Sequence, residues 1–357
     1  MPVPIRWRLE RARARWIQLA RAAGLLRSPS TYVWDRIEEH RSCWSLAADA
    51  IGAELRPLTD TVWEVRRADR RTRIANHLLQ LDDPVLLEIA GDKELTCRIA
   101  ASAGVRIPEY VVVDTADVEA AWRFVVSIGR PAVVKPVHGT SAGIGVTVPV
   151  ETRPQLIRAL ALAGVRSQRV MVQRMLAGEA CRLLFLDGRL IHAVRRRGVR
   201  VKADGRSSIA ELSSTAARAG AAPDRISAAF LRASALDPRS VPPPDTELLV
   251  RPVPQAERRS EELRTTYDED ITDLVSPAME EAGSRLVRAI GSSWAGVDIV
   301  TSDVSRSLED TDGGVVEVNT TPGILHHCPE PGVACTVAMR VLERLLDGND
   351  HLPPRRE

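Results

Sequence analysis

The stretch Gly314–Gly323, GVVEVNTTPG, decides how the rest of the chain is read. It begins as a β-branched run with Glu317 and Asn319 two positions apart. Side chains on a strand alternate faces, so these two point the same way. A carboxylate beside an amide oxygen suits a hard cation such as Mg²⁺. Upstream, AGVDIV (Ala295–Val300) sets Asp298 inside a second apolar strand. An acid there is costly to bury unless it is paired or coordinates a metal. Two acids and an amide on two strands form a candidate metal–nucleotide site.

The 357 residues exceed what one small core accommodates, which predicts two or three lobes. The 49 basic and 47 acidic residues nearly cancel, so bulk charge gives no argument for nucleic acid or membrane as a partner. No apolar run approaches the roughly 20 residues of a membrane span. The N-terminal RWRLERARARW lacks the apolar core of a signal peptide. Cys43, Cys97, Cys181, Cys328 and Cys335 are scattered, odd in number and without a CxxC, and read as reduced packing thiols of a cytoplasmic protein. Low aromatic content and abundant helix formers favour a mixed α/β enzyme.

A basic amphipathic pattern over 6–27, with Trp7, Trp16, Leu19 and Leu25 as apolar members, predicts a helix packed on the body rather than a membrane or acidic-partner element. Another helix is expected over 34–53, then short strands and a helix to residue 90. Lys93–Ala103 reads as a helix ending at Gly104. Strands are expected at Tyr110–Asp114, Ala132–Lys135, Gly145–Pro149 and Arg169–Gln173, and helices at Asp117–Ile128 and Arg153–Ala163. Asp187-Gly188 between Cys181–Phe185 and Leu190–Arg195 signals a hairpin. The Ala-, Ser- and Pro-rich stretch 202–250 predicts helix and loop. Helices Ser276–Ile290 and Val333–Leu346 follow.

PAVVKPVHGTSAGIGV (Pro131–Val146) places Lys135 at a strand end before a loop with Gly139, Thr140, Ser141, Gly143 and Gly145. Glycines let backbone N–H groups approach phosphate oxygens, and a lysine adds a point charge. The loop is neither a Walker A motif nor a GxGxxG opening a helix. The bland alternative for Lys135, a surface lysine at a strand end, is weakened by the Lys-Pro pair and the loop. MVQRMLAGEACRLL (Met171–Leu184) is a strand, a connection and a strand; such a connection can cover an adenine ring, although alone it reads as a plain β-connection.

GDKELT, VVKPVHGTSAGIGV, VQRMLAGEACRLL, ADGRSSIAEL, DITDLV, AGVDIV and VVEVNTTPG follow one another over residues 91–323. In this order they resemble the ATP-grasp superfamily, and within it the ATP-grasp region of the cyanophycin synthetases, with similarity reaching back into 46–90. The resemblance implies an α+β, ATP-grasp fold in which two α/β lobes sandwich ATP behind a small N-terminal lobe. The implied divisions are an N-terminal lobe 1–90, a central lid 91–190 and a C-terminal lobe 191–357 with the Mg²⁺ site. It also implies that Lys93 and Lys135 contact ATP phosphates beneath the Gly139–Gly145 loop. Gln173, Arg174, Met175 and Leu176 would line the adenine pocket, and Glu179 would bind ribose. Asp298, Glu317 and Asn319 would hold Mg²⁺, with Mn²⁺ as a substitute. Arg182 and Arg251 would neutralise the acyl-phosphate and tetrahedral intermediate. Gln173 stands where Glu is usual, Leu325 where Arg is usual, and Pro252–Tyr267 replaces an Asn/Ser/Gly-rich loop, which points to a changed substrate.

The chemistry so implied is ADP-forming ligation. A carboxylate attacks the γ-phosphoryl group of ATP, and an amine displaces phosphate from the acyl-phosphate. The expected substrates are a small-molecule carboxylate and amine, an amino acid or short peptide, in specialised metabolism. His326 and His327 could assist proton transfer, although a structural role is the favoured reading. A small-molecule kinase and a non-catalytic ATP-binding module are the alternatives. No nucleic acid or membrane span is expected; a homodimer is common in the superfamily. Cyanophycin synthetases carry a second ligase module, so this chain is not expected to make cyanophycin.

Overall fold

The computed structural model describes residues 5–22, 37–81, 83–138, 145–196, 199–216, 236–251, 268–328 and 332–348. Helices α1 (Ile5–Ala22) and α2 (Ile37–Ala50) precede an antiparallel meander of β1 (Glu54–Pro57), β2 (Val62–Arg67), β3 (Arg70–Ala75) and β4 (Leu78–Leu79). Trp63 and Val65 of β2 share an apolar cluster with Trp44 and Ala47 of α2. Asp83 caps α3 (Pro84–Gly91). Asp92 ends that helix and opens α4 (Lys93–Ser102), its Oδ1 accepting from the N–H groups of Glu94 and Leu95 at 2.9 and 3.0 Å. Lys93 is therefore the first residue of a helix.

Strands β5 (Tyr110–Asp114), β6 (Ala132–Pro136), β7 (Thr147–Val150) and β8 (Arg169–Arg174) form an antiparallel sheet in the order β5-β8-β6-β7. Helices α5 (Val118–Ser127) and α6 (Arg153–Ala163) bury Val118, Ala121, Leu156 and Leu160 against its valines. A capping box between Thr152 and Gln155 starts α6. Helix α1 lies within segment 1–90 but packs on α6, its Trp7 joining this cluster. Trp16 and Leu19, expected on its apolar side, face outward.

Strands β9 (Glu179–Leu186) and β10 (Arg189–Arg196) form the expected hairpin; Asp187 and Gly188 take the φ values +48° and +71° that its two-residue turn demands. Strand β11 (Val199–Lys202) precedes α7 (Ile209–Ala216) and pairs with β12 (Glu247–Arg251), where composition predicts only helix and loop. Strand β13 (Asp268–Asp270), a 3₁₀ turn (Thr272–Leu274), α8 (Pro277–Ile290), β14 (Trp294–Thr301), β15 (Gly314–Asn319), a 3₁₀ helix (Ile324–His327) and α9 (Thr336–Asp347) follow. The second large sheet runs β13-β10-β9-β14-β15, all antiparallel.

Both faces of that sheet are covered. Leu184, Leu186 and Trp294 pack with α2, α9 and the N-terminal meander, whereas Leu183, Phe185, Ala295 and Val297 pack with α8 and α4. This double burial explains the unbroken apolar run in β9. Strand β9 falls in segment 91–190 yet hydrogen-bonds into the five-stranded sheet, so sheet membership changes between Arg174 and Glu179. The architecture is α+β, as expected. All five cysteines are free and buried, as expected of reduced packing thiols, and Cys43, Cys328 and Cys335, far apart in the sequence, meet in the core.

Candidate nucleotide and metal site

Strand β14 sets Asp298 opposite Arg182 of β9 on one side and Glu317 of β15 on the other. Arg182 grips Asp298 with two prongs, Nε to Oδ1 and Nη2 to Oδ2, both at 2.7 Å. Asn319 Nδ2 donates to Oδ2 at 3.2 Å. The Arg182 and Asp298 side chains are only 8% and 18% exposed, so a charge-assisted pair offsets the cost of burying the acid.

Glu317 Oε1 lies 3.4 Å from Lys93 Nζ. Lys135 Nζ donates to the Val316 carbonyl at 2.9 Å. The Lys93 backbone N–H donates to the Val137 carbonyl just past β6, which ties α4 to the strand carrying Lys135. Both lysines are buried, which excludes the surface-lysine reading. Burial pushes the Lys135 ammonium below the usual lysine range, with Glu317 opposing the shift. Two ammonium groups, a guanidinium, two carboxylates and an amide thus meet where α4, β6, β9, β14 and β15 converge.

Gln173 is buried in β8, and its Nε2 has no hydrogen-bond partner among the described residues. The Arg174 side chain turns to Asp312 at 2.8 Å. The backbone N–H groups of Arg174 and Met175 donate to the carbonyls of Glu109 and Pro131, at 2.8 and 2.9 Å, and so are already engaged. Leu176 is buried beside Gly314. Glu179 is exposed and pairs with Arg195 Nη1 at 3.2 Å. The connection needs glycine at 178, where φ is +119° and a Cβ would come within 2.2 Å of the Thr301 carbonyl oxygen. Gly139, Thr140, Ser141, Gly143, the loop 252–267 and the Arg251 side chain lie outside the described residues.

Two groupings have no sequence signal as groupings, although the sequence reading names Arg174, His326 and His327 singly. Asp312 binds Arg106, Arg130 and Arg174 together, joining the β14–β15 connection to β8. His327, buried in the 3₁₀ helix, sets its Nδ1 3.0 Å from Nδ1 of His192, whose Nε2 is 3.4 Å from Asp270 Oδ2. His326, its neighbour, is also buried. Each grouping joins distant segments, so no local spacing announces it.

These residues fit a metal-bound nucleotide. Asp298 and Glu317 offer hard oxygen donors, the lysines offer cations, and Gln173 offers a buried donor with no partner among the described residues.

No protein-family model matches the chain. It is 32% identical over 273 residues to cyanophycin synthetase of Trichormus variabilis, covering 72% of this chain and 29% of that protein. It is 30% identical over 275 residues to the Synechocystis cyanophycin synthetase, covering 72% and 30%. A glutathione biosynthesis bifunctional protein of Mannheimia succiniciproducens is 24% identical over 281 residues, covering 73% and 36%. The chain thus spans less than a third of the cyanophycin synthetases it matches. The crystal structure of a bifunctional glutathione synthetase from Pasteurella multocida superposes with a TM-score of 0.59 at 21% identity, over 90% of this chain and 45% of that one. Among the described residues no helix is long and apolar enough to cross a membrane. Sheet architecture, the ordered motifs and these similarities agree: the chain has an ATP-grasp fold and is similar over 72% of its length to a segment of the cyanophycin synthetases.

Proposed function

We propose that the chain is an ADP-forming carboxylate–amine ligase that activates the carboxylate of an amino acid or short peptide with ATP. The observation that supports it is the convergence of Lys93, Lys135 and Arg182 with Asp298, Glu317 and Asn319. Phosphoryl transfer needs positioning and charge neutralisation more than a protein nucleophile. Lys93 and Lys135 hold the nucleotide phosphates, covered by the loop of Gly139, Thr140, Ser141 and Gly143. Asp298, Glu317 and Asn319 hold Mg²⁺, or Mn²⁺ in its place, which supplies further neutralisation when bound. Arg182 and Arg251 stabilise charge at the reacting carboxylate. Gln173 to Leu176 border the base, with Gln173 Nε2 as the open donor, and Glu179 serves the ribose. The working division is 1–90, 91–190 and 191–357, with α1 seated on the central lobe and β9 in the C-terminal sheet.

Hydroxylamine trapping tests this reading. The protein, MgATP and hydroxylamine are incubated with pools of amino acids and short peptides, and products are read by mass spectrometry. A hydroxamate that requires ATP, and that falls by about 10²–10³-fold in Asp298→Asn and Glu317→Gln, is expected. A stable phosphorylated product with no hydroxamate would favour a small-molecule kinase. Nucleotide binding without turnover in either assay would overturn the ligase reading.

A further inference from the structure

The proposed ligase chemistry uses none of the five cysteines, yet three of them come together. Cys43 lies on α2, Cys328 follows the 3₁₀ helix Ile324–His327, and Cys335 caps the N-terminus of α9. Their sulfur atoms all lie within 4.8 Å of one another, and all three residues are less than 9% exposed. Cys43 Sγ and Cys328 Sγ are 3.0 Å apart. At that distance either thiol can donate a hydrogen bond to the other, so the two sulfurs are in direct contact. No disulfide joins them. Cys97 and Cys181, also buried, belong to no such group among the described residues and show what a packing thiol looks like in this fold.

We propose that Cys43, Cys328 and Cys335 bind one soft cation with a filled d shell, zinc or monovalent copper, as three thiolates. Thiolate sulfur is the preferred donor for such ions. On binding, each S–H bond breaks, its proton passes to solvent and a sulfur–metal bond forms, with no change of oxidation state. Three sulfurs complete a trigonal copper site. For zinc, the Ile324 and His327 carbonyl oxygens border the cluster, 3.4 Å from Cys328 Sγ and 3.5 Å from Cys335 Sγ, and one of them supplies the fourth donor. The N-terminus of α9, twelve residues long, adds positive potential beside the anionic sulfurs. The ion would clip α2 to the segment that follows β15, the strand bearing Glu317 and Asn319. Its role is structural and independent of the nucleotide.

The test starts with full-length protein purified under reducing conditions without chelator. Elemental mass spectrometry is expected to find one equivalent of zinc or copper per chain, which also separates the two ions. Titration with a mercurial should release that equivalent to a chromogenic chelator. Cobalt added to stripped protein should give a sulfur-to-cobalt charge-transfer band. Cys328→Ser should lose the metal, while Cys97→Ser and Cys181→Ser retain it. If Cys328→Ser fails to fold, the mercurial and cobalt experiments on the unaltered chain decide. Protein that is metal-free as purified, gives no cobalt band and titrates five thiols on denaturation would overturn the proposal. So would a Cys43–Cys328 disulfide in peptide maps, which would make the cluster a redox pair.

Discussion

At Asp298 the carboxylate proposed to bind metal is also one half of an ion pair, through the same two oxygen atoms. The guanidinium of Arg182 occupies both, so removing the acid leaves a buried cation facing apolar strands. Asp298→Ala should cost about 3–5 kcal/mol in urea unfolding, the range for breaking a buried pair from one side. Asp298→Asn should cost less, because its amide oxygen still accepts from Arg182, yet it should lose metal-dependent turnover equally. Asp298 was legible in the sequence because an acid inside AGVDIV demands a partner. The partner itself was not, since the pair joins residues 116 positions apart. Arg182 and Lys93 were reached through family resemblance, not through spacing. Gly178 was equally silent, because the atom it must avoid belongs to Thr301.

At the level of elements, Asp312 joins the β14–β15 connection to the four-stranded sheet. Its backbone takes φ +49°, which asparagine also tolerates, so Asp312→Asn removes the charge without new strain. Arg174, hydrogen-bonded to the carboxyl, holds it below the usual aspartate range, with Arg130 and Arg106 adding to the effect. A depressed pKa contributes stability that is present above the unfolded value and lost as pH falls through the folded one. Thermal melts at neutral pH should therefore place the variant below the unaltered protein, by about 1 kcal/mol or less for so exposed a network. The gap should close as the pH falls below 3.8. Elements with local signals were read nearly to the residue: the Asp187-Gly188 turn, α6 behind its Thr152–Gln155 box, and α8 behind Ser276. The β11–β12 pair escaped because β12 follows VPPPD and its partner lies beyond α7.

Across the whole molecule, α4 joins the two sheets through Lys93, and a bound nucleotide would link the same parts. A non-hydrolysable MgATP analogue at 100 times its Kd should stabilise the protein by about 2.7 kcal/mol. Lys135→Met should greatly reduce that rise in a thermal-shift titration at the same analogue concentration, because it removes a buried cation from the proposed phosphate site. The two covered faces of the five-stranded sheet, described above as packing, also set a clock. Amides of Leu183–Leu186 and Ala295–Ile299 reach water only when α2 and α9 part from one face or α4 and α8 from the other. Their deuterium uptake then tracks opening of the whole chain, while the short β11–β12 ribbon, with its small core of Val201, Ile209 and Val250, exchanges through local openings of its own.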